Sequence, residues 1–197
     1  MAKRIFDIVV ALLGIVLASP LFIGIALAVK LDSPGPVLYN GVRVGKGGKP
    51  FRMHKFRTMV PSADKMGGPS TAGDDQRLTR VGKFLKKFQL DELPQLINVL
   101  KGEMSIVGPR PEVPFYVDMM SEQERSVILS VRPGMTDWAS LWNFHEGEVL
   151  RGSQDPEKTY QEKIRPEKIR LQMKYVRERN FLVDLKIIGQ TIVKIFQ

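Results

Sequence analysis

From Ile5 to Val29 the chain is apolar apart from one charge, Asp7, with Gly14, Ser19, Pro20 and Gly24 as the other interruptions. As an α-helix this run would be about 37 Å long, more than the roughly 30 Å of a bilayer's hydrocarbon core. A secretory leader has a shorter apolar region, and a buried core helix of this length is out of proportion to so small a chain. The pattern therefore predicts a membrane segment over residues 1–32. Lys3 and Arg4 precede the run and Lys30 follows it. The preference for basic flanks on the cytoplasmic side asks for both ends on the same face. Pro20 lacks an N–H and clashes with the preceding turn, and the Ser19 hydroxyl is placed to serve a freed carbonyl. These features predict a re-entrant, broken helix rather than a straight span, with Asp7 paired to Lys3 or Arg4 near the entrance.

At the other end, Phe181, Leu185, Ile188, Ile192 and Ile195 recur at helical spacing, with Lys186, Gln190, Lys194 and Gln197 on the opposite side. The pattern suits an amphipathic interfacial helix over 181–197, or an ordinary helix packed on the core. Arg170, Lys174 and Arg177 form a basic stripe just before it. In between, Ser33-Pro34-Gly35-Pro36 stops the membrane segment. Residues 37–44 and 50–59 read as a hairpin about Gly45-Lys46-Gly47-Gly48. A polar loop covers 60–76, helices 80–89 and 91–100, and a short strand 105–107. Ser121 and Glu124 form a capping box for a helix to about Ser130. Residues 136–144 read as strand and 156–180 as mostly helix. The expected fold is α+β: a catalytic domain over 33–180 of helices with short strands and a hairpin, without the βαβ alternation of a Rossmann fold.

Composition narrows the partners. The 197 residues carry 30 basic and 21 acidic side chains, a formal charge of +9. One domain with an anionic partner follows. The absence of cysteine excludes thiolate chemistry and disulfides, and His54 and His145 are too far apart for a zinc motif. The glycines of Gly41-Val-Arg-Val-Gly45-Lys46-Gly47 precede a strand rather than a helix, which makes them a turn and not a phosphate loop. No nucleic-acid signature is present, so nucleic acid is not an expected partner.

Candidate chemistry lies in Asp91-Glu92-Leu93-Pro94, where two carboxylates meet the start of a helix. A helix cap and a dipole-matching acid would explain them. Arg57, Arg77, Arg80 and Arg110 fall on loops or element ends nearby, and the stiff Gly108-Pro109-Arg110-Pro111 turn holds its guanidinium ready for a phosphate.

A sequence of blocks then carries a resemblance: Lys3-Arg4-Ile-Phe-Asp7, Ser19-Pro20, Lys55-Phe-Arg57-Thr58-Met59, Asp75-Gln-Arg77-Leu-Thr79-Arg80-Val-Gly82, Leu90-Asp91-Glu92-Leu-Pro94-Gln95, Gly108-Pro109-Arg110-Pro111 and Arg132-Pro-Gly134-Met-Thr136. In this order they resemble the bacterial sugar transferase family, the monotopic phosphoglycosyl transferases. The length is similar to that of its minimal, core-only members. The resemblance implies a re-entrant helix with Lys3, Arg4, Ser19 and Pro20 at the membrane, and a domain on the cytoplasmic face of the bacterial inner membrane. It implies transfer of a sugar 1-phosphate from a UDP-sugar to polyprenyl phosphate (undecaprenyl phosphate), which starts glycoconjugate assembly. Asp91 would be the nucleophile and a ligand to Mg²⁺, releasing UMP, and Glu92 would handle the proton of the incoming lipid phosphate. Lys55, Arg57, Arg77, Arg80, Arg110 and Arg132 would bind substrate.

The chain departs from the family's pattern at Asp137-Trp138-Ala139-Ser140 and at Gln172. Trp138 and Trp142 would line a sugar or base site, or pack in the core; His54 and His145 have packing or polar-loop roles on spacing alone. Membrane phospholipid is a further expected partner, and the oligomeric state, a homodimer included, stays open. The rival reading is a non-catalytic, membrane-docked adaptor that binds anionic lipid or protein through its basic surface.

Overall fold

The computed structural model describes residues 2–68 and 70–195. Helix α1 runs from Ala2 to Asp32 with Pro20 inside it. The expected break at Pro20 is absent. Proline removes the N–H that would have reached the Val16 carbonyl, and the Ser19 hydroxyl donates to that carbonyl instead, at 2.8 Å. The orphaned acceptor is satisfied within the helix, so the helix continues.

One stripe of α1, through Asp7, Ala11, Ile25 and Val29, is buried against the rest of the chain. Val16 and Leu17 on the outer side are 66% and 79% exposed. Asp7 does not pair with Lys3 or Arg4. Its carboxylate accepts from the Ser105 hydroxyl at 2.9 and 3.0 Å and from the Ile106 N–H at 3.1 Å. Lys3 reaches Asp184 at 2.7 Å, and Arg4 donates to the Val99 and Leu100 carbonyls. At the far end Arg57 donates to the Val29, Ser33 and Pro34 carbonyls, and Asp32 accepts from the Val81 N–H. Both ends of α1 thus rest on the same domain.

Strands β1 (Leu38–Val44) and β2 (Pro50–Phe56) form the expected antiparallel hairpin, with Leu38 opposite Phe56 and Val44 opposite Pro50. Its turn needs positive φ at Gly47 and Gly48, which glycine adopts freely. Helix α2 (Arg80–Lys87) is capped by the Thr79 side chain, and α3 (Gln95–Lys101) ends at Gly102 in the left-handed region. Strand β3 (Ser105–Val107) pairs in parallel with β4 (Gly134–Thr136), across a connection that holds α4 (Pro114–Asp118) and α5 (Glu122–Ile128). The capping box of Ser121 and Glu124 is present at α5. Gly108 and Gly134 let the two backbones meet: a Cβ on Gly134 would lie 2.0 Å from the Gly108 nitrogen.

Residues 136–144, expected as strand, leave the sheet at Thr136 and turn into α6 (Trp138–Trp142). The cause is Asp137, whose carboxylate accepts from the Ser140 N–H at 2.7 Å and its hydroxyl at 2.8 Å, an N-cap that outweighs the β preference of the tryptophans. Short helices α7 (Glu146–Val149) and α8 (Pro156–Thr159) follow. A π-helical turn over Tyr160–Ile164 then leads into α9 (Arg165–Glu178) and α10 (Phe181–Ile195).

The main core gathers Ala11, Met53, Leu96, Val99, Met104, Val107, Tyr175 and Ile187, so α1, β2, α3, β3, α9 and α10 share it. Helix α10 uses Asp184 and Ile187 for that contact and leaves Phe181, Leu185, Ile192 and Ile195 exposed. It therefore packs on the core and presents an apolar outer face at once. Gln197, expected on its polar side, lies outside the described residues.

Asp7→Ala leaves the Ser105 hydroxyl and the Ile106 N–H without their acceptor in a buried place. We expect a loss of about 2–3 kcal/mol of stability, read as a lower urea midpoint in detergent.

Candidate active site

Residues 88–94 connect α2 to α3, and only the start of the connection, at Phe88, is exposed. Gln89 takes a left-handed conformation, φ 53°, and turns the chain into a single 3₁₀ turn over Leu90–Glu92. Neither carboxylate caps α3, whose N-cap position is held by Pro94. The turn instead holds both acids under the domain surface, with Asp91 only 6% exposed.

Two cations converge on them from different elements. Lys55 of β2 places its Nζ 2.7 Å from Glu92 Oε1 and 3.9 Å from Asp91 Oδ2. Arg110, from the turn after β3, meets Glu92 as a fork, with Nη1 donating to Oε2 at 3.0 Å and Nη2 to Oε1. The side chain of Gln172 donates to the Arg110 carbonyl at 3.2 Å and braces that turn against α9.

These contacts drive the two acids apart. Burial alone would raise the Glu92 pKa, but Arg110 and Lys55 overturn it and hold the carboxyl far below its ordinary value. Burial raises the Asp91 pKa, with Lys55 opposing and Glu92 adding to the rise. Among the described residues the Asp91 carboxylate accepts no hydrogen bond. One acid is locked as an anion in a double ion pair, and the other stands free beside a lysine. Such a split assigns different roles to neighbouring carboxylates.

Sequence reasoning missed the outer ring. Lys86 of α2 feels Asp91, and burial lowers its pKa. Lys168, buried on α9, reaches Glu112 at 2.7 Å and the Tyr160 hydroxyl at 2.8 Å. Gln89 donates to the Phe144 carbonyl at 3.1 Å, which ties the 3₁₀ turn to the segment after α6. A lysine in a lysine-rich helix carries no sequence signal of burial. The π turn that aims Tyr160 is likewise invisible to a period-based reading.

Of the six basic residues expected at substrate, the structure brings Lys55 and Arg110 to the carboxylates. Arg57 is committed to the carbonyls that end α1. Arg77 clasps Asp75 and the carbonyls of Ala63, Gly68 and Ser70, organising the polar loop. Arg80 is exposed in the first turn of α2, and Arg132 donates to the Gly102 carbonyl at the far end of α3. Trp138 packs against the main core with Lys186 over its ring, while Trp142 is 47% exposed. His54 sits between Asn40 and Lys101, and His145 contacts Phe144 edge to face.

Among the described residues no group of three or more His, Asp or Glu side chains could hold a metal. Mg²⁺ does not need one, since it binds through one or two carboxylates with substrate phosphates and water completing its shell. Asp91, with oxygens free of hydrogen bonds, fits that donor set; Glu92, engaged by two cations, does not.

The family model for the bacterial sugar transferases matches residues 1–197. The chain belongs to the bacterial sugar transferase family. Over 141 residues it is 45% identical to a UDP-N-acetylgalactosamine-undecaprenyl-phosphate N-acetylgalactosaminephosphotransferase of Aeromonas hydrophila, covering 71% of this chain and 33% of that one. It is 41% identical to the UDP-glucose:undecaprenyl-phosphate glucose-1-phosphate transferase of Escherichia coli K12, covering 98% of this chain and 40% of the relative. The enzyme of the same name in Caulobacter vibrioides is 39% identical, over 96% of this chain and 68% of its own. The chain spans between a third and two-fifths of the length of the first two relatives.

Arg110→Met removes one cation from a buried carboxylate and should cost about 2–4 kcal/mol at neutral pH. The depressed Glu92 pKa contributes stability that is present above its ordinary value of 4.5 and lost as pH falls below it. The variant should therefore lose less stability than the parent between neutral pH and about pH 3, in urea titrations at both.

Proposed function

We propose that this member of the family is a phosphoglycosyl transferase that moves a sugar 1-phosphate from a UDP-sugar to polyprenyl phosphate through an aspartyl intermediate. The observation that carries the reading is the contrast between Asp91, a carboxylate without hydrogen bonds, and Glu92, locked by Lys55 and Arg110. A nucleophile must be free to approach phosphorus, and the cations beside it must be fixed in advance. The undecaprenyl-phosphate transferases it resembles support the same substrates.

An Asp91 oxygen attacks the sugar-bearing phosphorus of the donor diphosphate. The bond from that phosphorus to the bridging oxygen breaks, and UMP leaves with the electron pair. An oxygen of polyprenyl phosphate then attacks the same phosphorus, the bond to Asp91 breaks, and the lipid diphosphate sugar departs with the carboxylate restored. Anion repulsion opposes both steps. Lys55 and Arg110, which both meet Glu92 Oε1, offset it. Asp91 is the residue that would hold Mg²⁺, which would supply further charge neutralisation. Substrate phosphates compete with Glu92 for Lys55 and Arg110. As substrate phosphate takes up part of the charge of these cations in place, their hold on the Glu92 carboxylate weakens, and Glu92 becomes able to take the proton of the incoming lipid phosphate.

The membrane arrangement we propose is monotopic, on the cytoplasmic face of the inner membrane. It is supported by basic residues at both ends of α1, by both ends resting on one domain, and by exposed apolar faces on α1 and α10 that suit phospholipid. The donor is soluble and the acceptor lies in lipid, and a site so placed reaches both.

Asp91→Asn should lower transfer of labelled sugar phosphate into extractable lipid by roughly a thousandfold or more, as loss of a covalent nucleophile does, with membrane association kept. The parent enzyme should yield an acid-trapped phosphosugar adduct at Asp91 by mass spectrometry and lose turnover in EDTA; an unaltered rate in the variant removes Asp91 as nucleophile. The chain has no cysteine. Ala2→Cys and Ser33→Cys should accordingly each give a single label, both accessible from the cytoplasmic side, and labelling from opposite sides rejects the monotopic arrangement.

A further inference from the structure

A second cationic site lies at the other end of α3. There a cavity of about 200 Å³ opens between the start of α1, β3, the α5–β4 connection and the end of α9. Lys3, Arg4, Lys46, Arg132 and Arg179 line it, with Asp7 as the carboxylate on its wall. The charges do not cancel. Asp7 commits its oxygens to Ser105 and Ile106. Lys3 alone is neutralised, by Asp184 at 2.7 Å. Arg4 bonds only to the Val99 and Leu100 carbonyls, and Arg132 to the Gly102 carbonyl through Nε, so both keep their full charge. Those carbonyls form the C-terminal end of α3, whose dipole favours cations and holds the two guanidinium groups in place. Lys46 and Arg179 are exposed on the rim, and neither side chain makes a hydrogen bond or ion pair to another described residue.

We propose that this cavity binds a phosphate group, and that its source is the headgroup of an acidic membrane lipid. Fixed guanidinium groups with free N–H donors match phosphate oxygens. The cavity has room for a phosphate and several waters. The rim supplies the membrane: α1 and α10 begin there, joined by the Lys3–Asp184 ion pair and by Phe6 against Phe181 at 5.3 Å, and both helices carry exposed apolar faces. The site is separate from the reacting carboxylates, which lie at the opposite end of α3, on the order of 12 Å away by helix rise. It does not depend on the transfer chemistry proposed above.

The test uses the full chain in zwitterionic detergent, with native mass spectrometry counting retained phosphatidylglycerol against phosphatidylcholine. Inorganic phosphate, titrated into the lipid-free protein and followed by phosphorus NMR, is the second probe. Lys46→Gln/Arg179→Gln is compared with Lys158→Gln/Lys163→Gln, which removes the same charge from exposed positions elsewhere. Circular dichroism and thermal midpoints confirm that both pairs fold. We expect preferential retention of phosphatidylglycerol, weakened roughly thirtyfold in the cavity pair and unchanged in the control pair. Phosphate binding that the cavity pair loses, without any preference between the lipids, supports the site with a soluble phosphate as its source. Equal losses in both pairs, or no binding of either probe, overturns the proposal.

Discussion

A carboxylate moved out of water needs a cation or several donors within reach, and Glu92 fixes the position of much of the domain through that requirement. Its partners come from a strand and from a proline-flanked turn far away in the chain, so the hairpin, the turn after β3 and the 3₁₀ segment have to converge for the ion pairs to close. Breaking the set leaves a buried charge without compensation, a penalty larger than the net gain from forming it. The ion pairs therefore act as a condition on the fold more than as a source of stability, and they leave the Asp91 carboxylate beside them without a hydrogen bond.

The same rule recurs where the apolar helix meets the domain. Asp7 and Asp184 are both nearly inaccessible. Each is matched, the first by a hydroxyl and a backbone N–H, the second by Lys3 and the Tyr175 hydroxyl. An acidic residue in an otherwise apolar run is costly in lipid, so its placement against β3 specifies which side of α1 faces the protein. Aliphatic residues around the helix do not distinguish one side from another; Asp7 does.

Much of this was legible in the sequence. The hairpin, the cap of α5 and the apolar helix follow from local pattern; the stiff proline-flanked turn was read as holding Arg110 for a phosphate, and its guanidinium meets Glu92 instead. Long-range partners were not. Arg57 and Arg77 fall in motifs that suggested phosphate, yet both satisfy carbonyls of the chain itself, because a loop without regular structure has acceptors that something must cover. Asp137 overrode a strand pattern through a cap made three residues on, and the Ser19 hydroxyl kept a proline from ending a helix. In each case a single side-chain hydrogen bond outweighed a propensity. Propensities are sums of small preferences, so one well-placed donor or acceptor is enough to reverse them.

Because α1 is fastened to the domain near Asp7 and again near Val29, it has no hinge of its own. With α1 in a bilayer as proposed, a tilt of the helix would be a rotation of the whole domain, and the depth at which lipid meets α1 would set the elevation of Asp91 as a rigid offset. On the arrangement proposed above, lateral diffusion would supply a lipid acceptor in two dimensions, while the third coordinate of the encounter would be built into the protein rather than searched.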